Sequence, residues 1–121
     1  MITEGYAIRK SNTNEWFSCF NKTEDETKTV VEFVDSNVKM DIDNIEVLNS
    51  VVEAKEIATL LNSSKWLPTS GQDFEVVEVV VSNYCVEWEY DSWWRKLFDS
   101  PKHIECLPAI VSEITIWSTA D

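Results

Sequence analysis

The clearest periodic pattern in the chain lies between residues 51 and 61. Apolar residues recur there at helical spacing, at Ala54, Ile57, Ala58 and Leu61. Ser50 precedes this run and Glu53 follows three residues later, which is the arrangement of a capping box. The pattern therefore predicts an amphipathic helix over residues 51–61 whose apolar stripe packs on the rest of the protein.

Most of the remaining pattern is typical of strands, because β-branched and aromatic residues dominate it or alternate with polar ones. The predicted strands cover residues 6–10, 16–20, 29–34, 38–42, 74–81, 84–90 and 109–119. Glu75 and Glu78 have opposite parity, which predicts a bulge or burial on both faces. Ser82-Asn83 is either a tight turn or part of one long bent strand.

The order of these elements predicts the fold class. A short second helix is predicted over residues 92–99, with a stop at Ser100-Pro101. No repeat or linker divides the chain, so we expect one domain over residues 1–121. Its class is α+β, with a mostly antiparallel sheet and the main helix packed on one face.

Composition narrows the kind of partner. The 121 residues include 22 acidic and 10 basic side chains, so the formal net charge is −12. Such a chain repels a phosphate backbone, and direct nucleic-acid binding is disfavoured. Two glycines cannot supply a dinucleotide- or phosphate-binding loop.

The sequence pattern also bears on export and on membrane insertion. No apolar run reaches the ~18 residues of a membrane helix, and the N-terminus lacks the basic and apolar regions of a signal peptide. We therefore expect a cytoplasmic protein that does not bind membranes. In that compartment the three cysteines are expected to be reduced and mostly buried.

Two segments resemble parts of metal sites. Residues 41–46 resemble the start of an EF-hand loop, but the required glycine at position six and glutamate at position twelve are missing. His103 and Cys106 lie three apart, whereas Cys19 and Cys85 come from separate elements, so a four-ligand zinc site does not assemble. We expect no bound metal and no cofactor.

Carboxylates and tryptophans occur together after residue 84. Glu87, Glu89 and Asp91 share one face of a predicted strand, and Trp93 and Trp94 follow them. One interpretation is a small carbohydrate-active enzyme or a sugar-binding module, with carboxylates at glycosidase spacing and tryptophans that stack on sugars. Nothing in the pattern buries a carboxylate to raise its pKa, so we favour a protein that is not an enzyme.

The favoured interpretation is an acidic binding face flanked by tryptophan. Its predicted residues are Glu75, Glu78, Glu87, Glu89 and Asp91, with Trp93 or Trp94 beside them. Exposed tryptophan is a common anchor in protein interfaces. We expect this face to bind a basic surface on another protein, such as a nucleic-acid enzyme, with the chain itself a monomer or homodimer. A self-associating accessory protein is a third interpretation.

Five segments resemble a pattern found among small phage-encoded accessory proteins. They are residues 6–8, Trp16-Phe17, residues 50–58, residues 60–62 and residues 74–79. In such proteins strands are followed by one amphipathic helix and a further strand. The resemblance implies a non-enzymatic accessory protein, of the kind that inhibits host defence or host nucleic-acid enzymes, anti-CRISPR proteins among them.

Overall fold

The computed structural model describes residues 2–88 and 103–120, with side chains described for residues 2–83 and 106–120. The described residues form five strands, a 3-10 helix (Lys39–Asn44) and helix α1 (Val51–Ser63). The strands are β1 (Ile2–Lys10), β2 (Glu15–Lys22), β3 (Thr29–Asp35), β4 (Phe74–Trp88) and β5 (His103–Ser118). They make one antiparallel sheet in the order β3-β2-β1-β4-β5, which confirms the predicted α+β class.

Helix α1 begins at the predicted residue and packs as its stripe predicts. The Ser50 hydroxyl accepts a hydrogen bond from the Glu53 backbone N–H at 3.3 Å. Ala54, Ala58 and Leu61 are fully buried, and Ile57 packs partly buried against the same core cluster. The helix runs two residues beyond the predicted end.

Strand β4 is one continuous strand from Phe74 to Trp88, so Ser82-Asn83 is not a turn. Over residues 74–81 this strand is buried on both faces. Phe74 and Val76 join the core beneath α1, whereas Val77 and Val79 join a second cluster on the opposite face. The pairing with β5 shifts register between Val76 and Val77 and again between Val80 and Val81. The extra residues at these two shifts are in β5, since β4 pairs with β1 without interruption. Of the two predicted alternatives for the Glu75–Glu78 segment, two-sided burial is therefore the one present.

The predicted strand over residues 38–42 is wrong, because this segment turns into the 3-10 helix. Ile42 and Ile45 are both buried against the second core cluster, and their spacing of three residues suits the 3-10 repeat. Val38 and Met40, which would share the buried face of a strand, are 47% and 73% exposed. Burial of Ile42 together with Ile45 decides the conformation here.

A short segment before α1 inserts between β1 and β2. Strands β1 and β2 pair at Arg9 and Trp16, and farther along β1 the Tyr6 backbone exchanges two hydrogen bonds with Leu48, each 2.8 Å. Gly5 lies beside this contact, where an added Cβ would overlap the Leu48 carbonyl oxygen and the Val47 side chain. The close approach of the two backbones therefore requires glycine at position 5.

The expectation of three reduced thiols is wrong. Cys106 is disulfide-bonded, and Cys85 lies directly opposite it in the pairing of β4 with β5. Cys19 is a free thiol, and it is exposed rather than buried. The sequence spacing hid this arrangement because positions 85 and 106 come together only through the pairing of the two strands.

The predicted helix over residues 92–99 lies outside the described residues. Among the residues that the structure does describe, no helix combines the length and the apolar character needed to cross a membrane.

Candidate functional site

Arg9 neutralises one residue of the predicted acidic face. Its Nη2 and Nε atoms donate to Glu75 Oε2 at 2.9 and 3.1 Å, and Nη1 lies 3.4 Å from Glu113 Oε1. The Glu75 side chain is only 18% exposed, and the Arg9 guanidinium also stacks over the Trp16 ring at 5.1 Å. Glu75 is therefore engaged within the fold rather than presented to a partner.

The other predicted site residues are not brought together with Glu75 in the described part of the chain. Glu78 is exposed, but it is three residues from Glu75 on a strand that pairs regularly with β1, so the two side chains lie on opposite faces. Glu87 lies in β4 opposite Ile104, and its side chain is outside the described set. Glu89, Asp91, Trp93 and Trp94 lie outside the described residues.

Exposed carboxylates collect on a different surface, beside a bulge in β2, where the pairing with β3 shifts register between Phe17 and Cys19. We call Glu32, Asp43 and Glu46 the acidic ridge; all three are exposed. The Ser18 hydroxyl donates to the Asn44 carbonyl at 2.6 Å, and the Glu46 N–H donates to the Phe17 carbonyl at 3.1 Å. These bonds hold the end of the 3-10 helix against β2, next to β3 and Glu32.

The electrostatics around Cys19 report the negative character of this ridge. The Cys19 thiol donates a hydrogen bond to Glu32 Oε2 at 3.1 Å. This hydrogen bond, followed by partial desolvation and the negative charges of Glu32 and Glu46, raises the pKa of Cys19 above its ordinary value. The same hydrogen bond, with one from Asn21, lowers the pKa of Glu32. The ridge therefore keeps a charged carboxylate beside a protonated thiol.

A second candidate surface is a groove that contains an exposed tryptophan. The groove has a volume of about 690 Å³ and lies between the β2–β3 loop and the loop after α1. Trp66 lines it and is 93% exposed, whereas the next residue, Leu67, is buried in the core. We call it the Trp66 groove. Its remaining lining residues are Thr23, Thr27, Lys28, Thr29, Val30, Lys65, Leu67 and Pro68.

The β2–β3 wall of the Trp66 groove is ordered by one carboxylate. Asp25 accepts hydrogen bonds from the Thr23 hydroxyl, from the Thr27 hydroxyl at 2.8 Å and from the Thr27 N–H at 3.2 Å. These donors lower the pKa of Asp25, so the carboxylate stays charged. The loop backbone also closes on itself, because the Thr23 N–H donates to the Lys28 carbonyl at 3.0 Å.

A further cleft of about 540 Å³ lies between β5 and the segment around the 3-10 helix. Its lining mixes polar residues such as Asn14, Asn37 and Glu113 with apolar ones such as Ile110, and contains no aromatic residue. Within the described residues, no group of three or more His, Cys, Asp and Glu side chains is arranged to hold a metal ion. The acidic ridge and the Trp66 groove are therefore the two candidate functional surfaces of the described residues.

Comparison of the chain with protein-family models, with curated proteins and with solved structures finds no match in any of the three. The chemistry of the two surfaces therefore rests on their own residues.

Sequence reasoning missed both surfaces for different reasons. In the sequence, Asp43 and Glu46 are noticed only as part of an incomplete metal loop. The approach of Glu46 to Cys19, which Glu32 also contacts, depends on the docking of the segment around the 3-10 helix on β2. Trp66 follows the end of α1, and its exposure depends on burial of its neighbour Leu67. A polar-flanked tryptophan just after a helix end was the available signal.

Proposed function

We propose that the protein is an acidic binding protein that inhibits or regulates a nucleic-acid-interacting protein. The observation that carries this proposal is the imbalance of charge on the described surface. Ion pairs engage only Glu15, Glu75 and Glu113 among the carboxylates of the described side chains. The acidic ridge forms no ion pair within that same part of the chain, so its charges are available to a basic partner.

The ridge suits such a partner better than the face that the sequence predicted. Glu75 is held by Arg9 and Glu78 lies across the sheet from it, whereas the ridge collects its carboxylates around one bulge of β2. A negative surface steers a positive partner and raises the association rate at low ionic strength. It also competes with phosphate for lysine and arginine, which is how an acidic protein blocks a nucleic-acid site.

The test compares two variants that remove the same charge from opposite sides of the molecule. The ridge variant combines Glu32→Gln, Asp43→Asn and Glu46→Gln. The control variant combines Glu53→Gln, Glu56→Gln and Glu78→Gln, all exposed and on or beside the face that α1 covers. Both variants change the net charge by three, so a general charge effect cancels.

The measurement is association kinetics with a nucleic-acid-binding protein recovered from host lysate on the immobilised wild-type chain. We expect the ridge variant to associate about fivefold or more slowly at low salt, with a flatter salt dependence, while the control stays near wild type. Equal losses in both variants, or binding that ignores salt, would contradict the proposal.

We further propose that the partner belongs to a host defence system, of the kind that anti-CRISPR proteins block, and that the protein acts in the host cytoplasm. The sequence resemblance to phage accessory proteins supports this. Fractionation of host cells that express the full-length chain tests the location. Recovery of the chain with the cytosolic fraction supports it, and recovery with the cell envelope or the medium argues against it.

A further inference from the structure

We infer that the Trp66 groove is a binding site for a neutral saccharide. The inference is independent of the proposed function, because the groove and the acidic ridge involve different residues. Its volume of about 690 Å³ lies in the range of small-molecule sites. Three properties carry the assignment: an exposed aromatic side chain on an ordered loop, a matched set of hydrogen-bonding groups, and a balance of charge.

The platform is Trp66, which is held exposed by ordered neighbours. Leu67 is buried, and its N–H donates to the Ser64 carbonyl at 3.1 Å. Thr69 is 4% exposed, and its hydroxyl donates to the Leu61 carbonyl at 2.7 Å, which ties the loop to α1. Because these contacts fix the loop, the indole is presented to solvent without the entropy loss of ordering a mobile segment. The C–H face of a pyranose ring stacks on such an indole.

The polar groups of the groove complement sugar hydroxyls. The Thr23 and Thr27 hydroxyls already donate their hydrogens to Asp25, so toward a ligand they can only accept. Lys28 and Lys65 line the same groove, and neither forms an ion pair within the described residues, so their ammonium groups remain available as donors. A sugar hydroxyl donates and accepts at once, which this set of acceptors and donors matches.

The charge around the groove favours a neutral ligand over an anionic one. Lys28 and Lys65 attract anions, but Asp25 is charged and lies within the wall that Thr23 and Thr27 form. The whole chain carries a net charge of −12, which repels polyanions. An uncharged saccharide gains the lysine hydrogen bonds without meeting this repulsion.

The experiment applies the full-length protein to an array of immobilised neutral oligosaccharides built from glucose, galactose, mannose, xylose and N-acetylglucosamine. Acidic oligosaccharides on the same array serve as the comparison. We expect binding to at least one neutral series and weaker or no binding to its acidic counterparts. The best neutral oligosaccharide is then titrated in solution by calorimetry.

Two pairs of variants connect that binding to the groove. Trp66→Ala is expected to lower the affinity about tenfold or more, whereas Leu60→Ala, which removes an exposed apolar side chain outside the groove, leaves it unchanged. Lys65→Ala is expected to weaken binding severalfold, and Lys22→Ala, a lysine outside the groove, is its control. Since Trp66 and Lys65 are exposed, these variants are expected to fold.

Three outcomes would overturn the inference. They are an absence of binding to every neutral series, a preference for acidic over neutral oligosaccharides, and binding that survives Trp66→Ala. None of these outcomes bears on the charge test of the acidic ridge.

Discussion

Side chains from distant parts of the sequence decide the roles of several residues here. Arg9 binds Glu75 across 66 positions and Glu113 across 104, so no local pattern could show that Glu75 is neutralised. Glu32 likewise meets Cys19 only because β2 and β3 pair. The sequence predicts that acidic residues form a binding face. Which carboxylates remain available to a partner depends on the pairing between strands.

The first prediction concerns the thiol of Cys19. Glu32→Gln weakens the hydrogen bond that the protonated thiol donates and removes the negative charge beside it, so we expect the pKa of Cys19 to fall and its alkylation near pH 8 to become faster. Iodoacetamide kinetics across a pH series, read by mass spectrometry of the Cys19 peptide, measure this. Glu53→Gln is the control, and an unchanged Cys19 profile in Glu32→Gln would contradict the hydrogen bond.

Individual elements were predictable to the extent that their own pattern decided them. Helix α1 carries its cap and its stripe within one stretch of chain, and both are present in the structure. The 3-10 helix was predicted as a strand because Val38, Met40 and Ile42 alternate with polar residues. The burial of Ile42 and Ile45 against the core outweighs the strand preference that this local alternation predicts.

The second prediction tests the docking of α1 with two adjacent leucines. Leu61→Ala is expected to lower the free energy of unfolding by about 2–5 kcal/mol, since this side chain is fully buried and leaves a cavity. Leu60→Ala makes the same chemical change at a site that is 47% exposed, and we expect a loss below about 1 kcal/mol. Urea denaturation measures both, and equal losses would mean that the helix is docked through another face.

At the scale of the whole molecule, the class and the single sheet were predictable, but the connections across it were not. No local sequence pattern predicts that Leu48 inserts beside β1 or that Cys85 lies opposite Cys106. The candidate surfaces follow the same rule. The acidic ridge needs three elements to meet, and the Trp66 groove needs two loops.

The third prediction concerns the disulfide of Cys106. We expect peptide mapping without reductant to recover the Cys106 peptide joined to the Cys85 peptide, because the two positions face each other in β4 and β5. Reduction should then lower the free energy of unfolding by about 3 kcal/mol, since the unfolded chain regains the freedom of the loop between positions 85 and 106. Thiol titration should rise from one reactive cysteine to three.

A result that would contradict this pairing is a Cys19 peptide in the disulfide-linked fraction. Cys19→Ser is the matched control, and it should leave both the linked peptides and the effect of reduction unchanged.

The insertion of Leu48 beside β1 has a consequence for the route by which the chain folds. A two-stranded hairpin of neighbouring strands usually closes early, because its contacts are local. Here β1 and β2 meet at Arg9 and Trp16, and the Tyr6 backbone exchanges two hydrogen bonds with Leu48, which lies 42 positions later. The other edge of β1 pairs with β4, from Ile2 with Ser82 to Lys10 with Phe74. Strand β1 is therefore completed on both edges by residues that lie far along the chain from it, and we expect the contacts between these distant segments to limit the rate of folding.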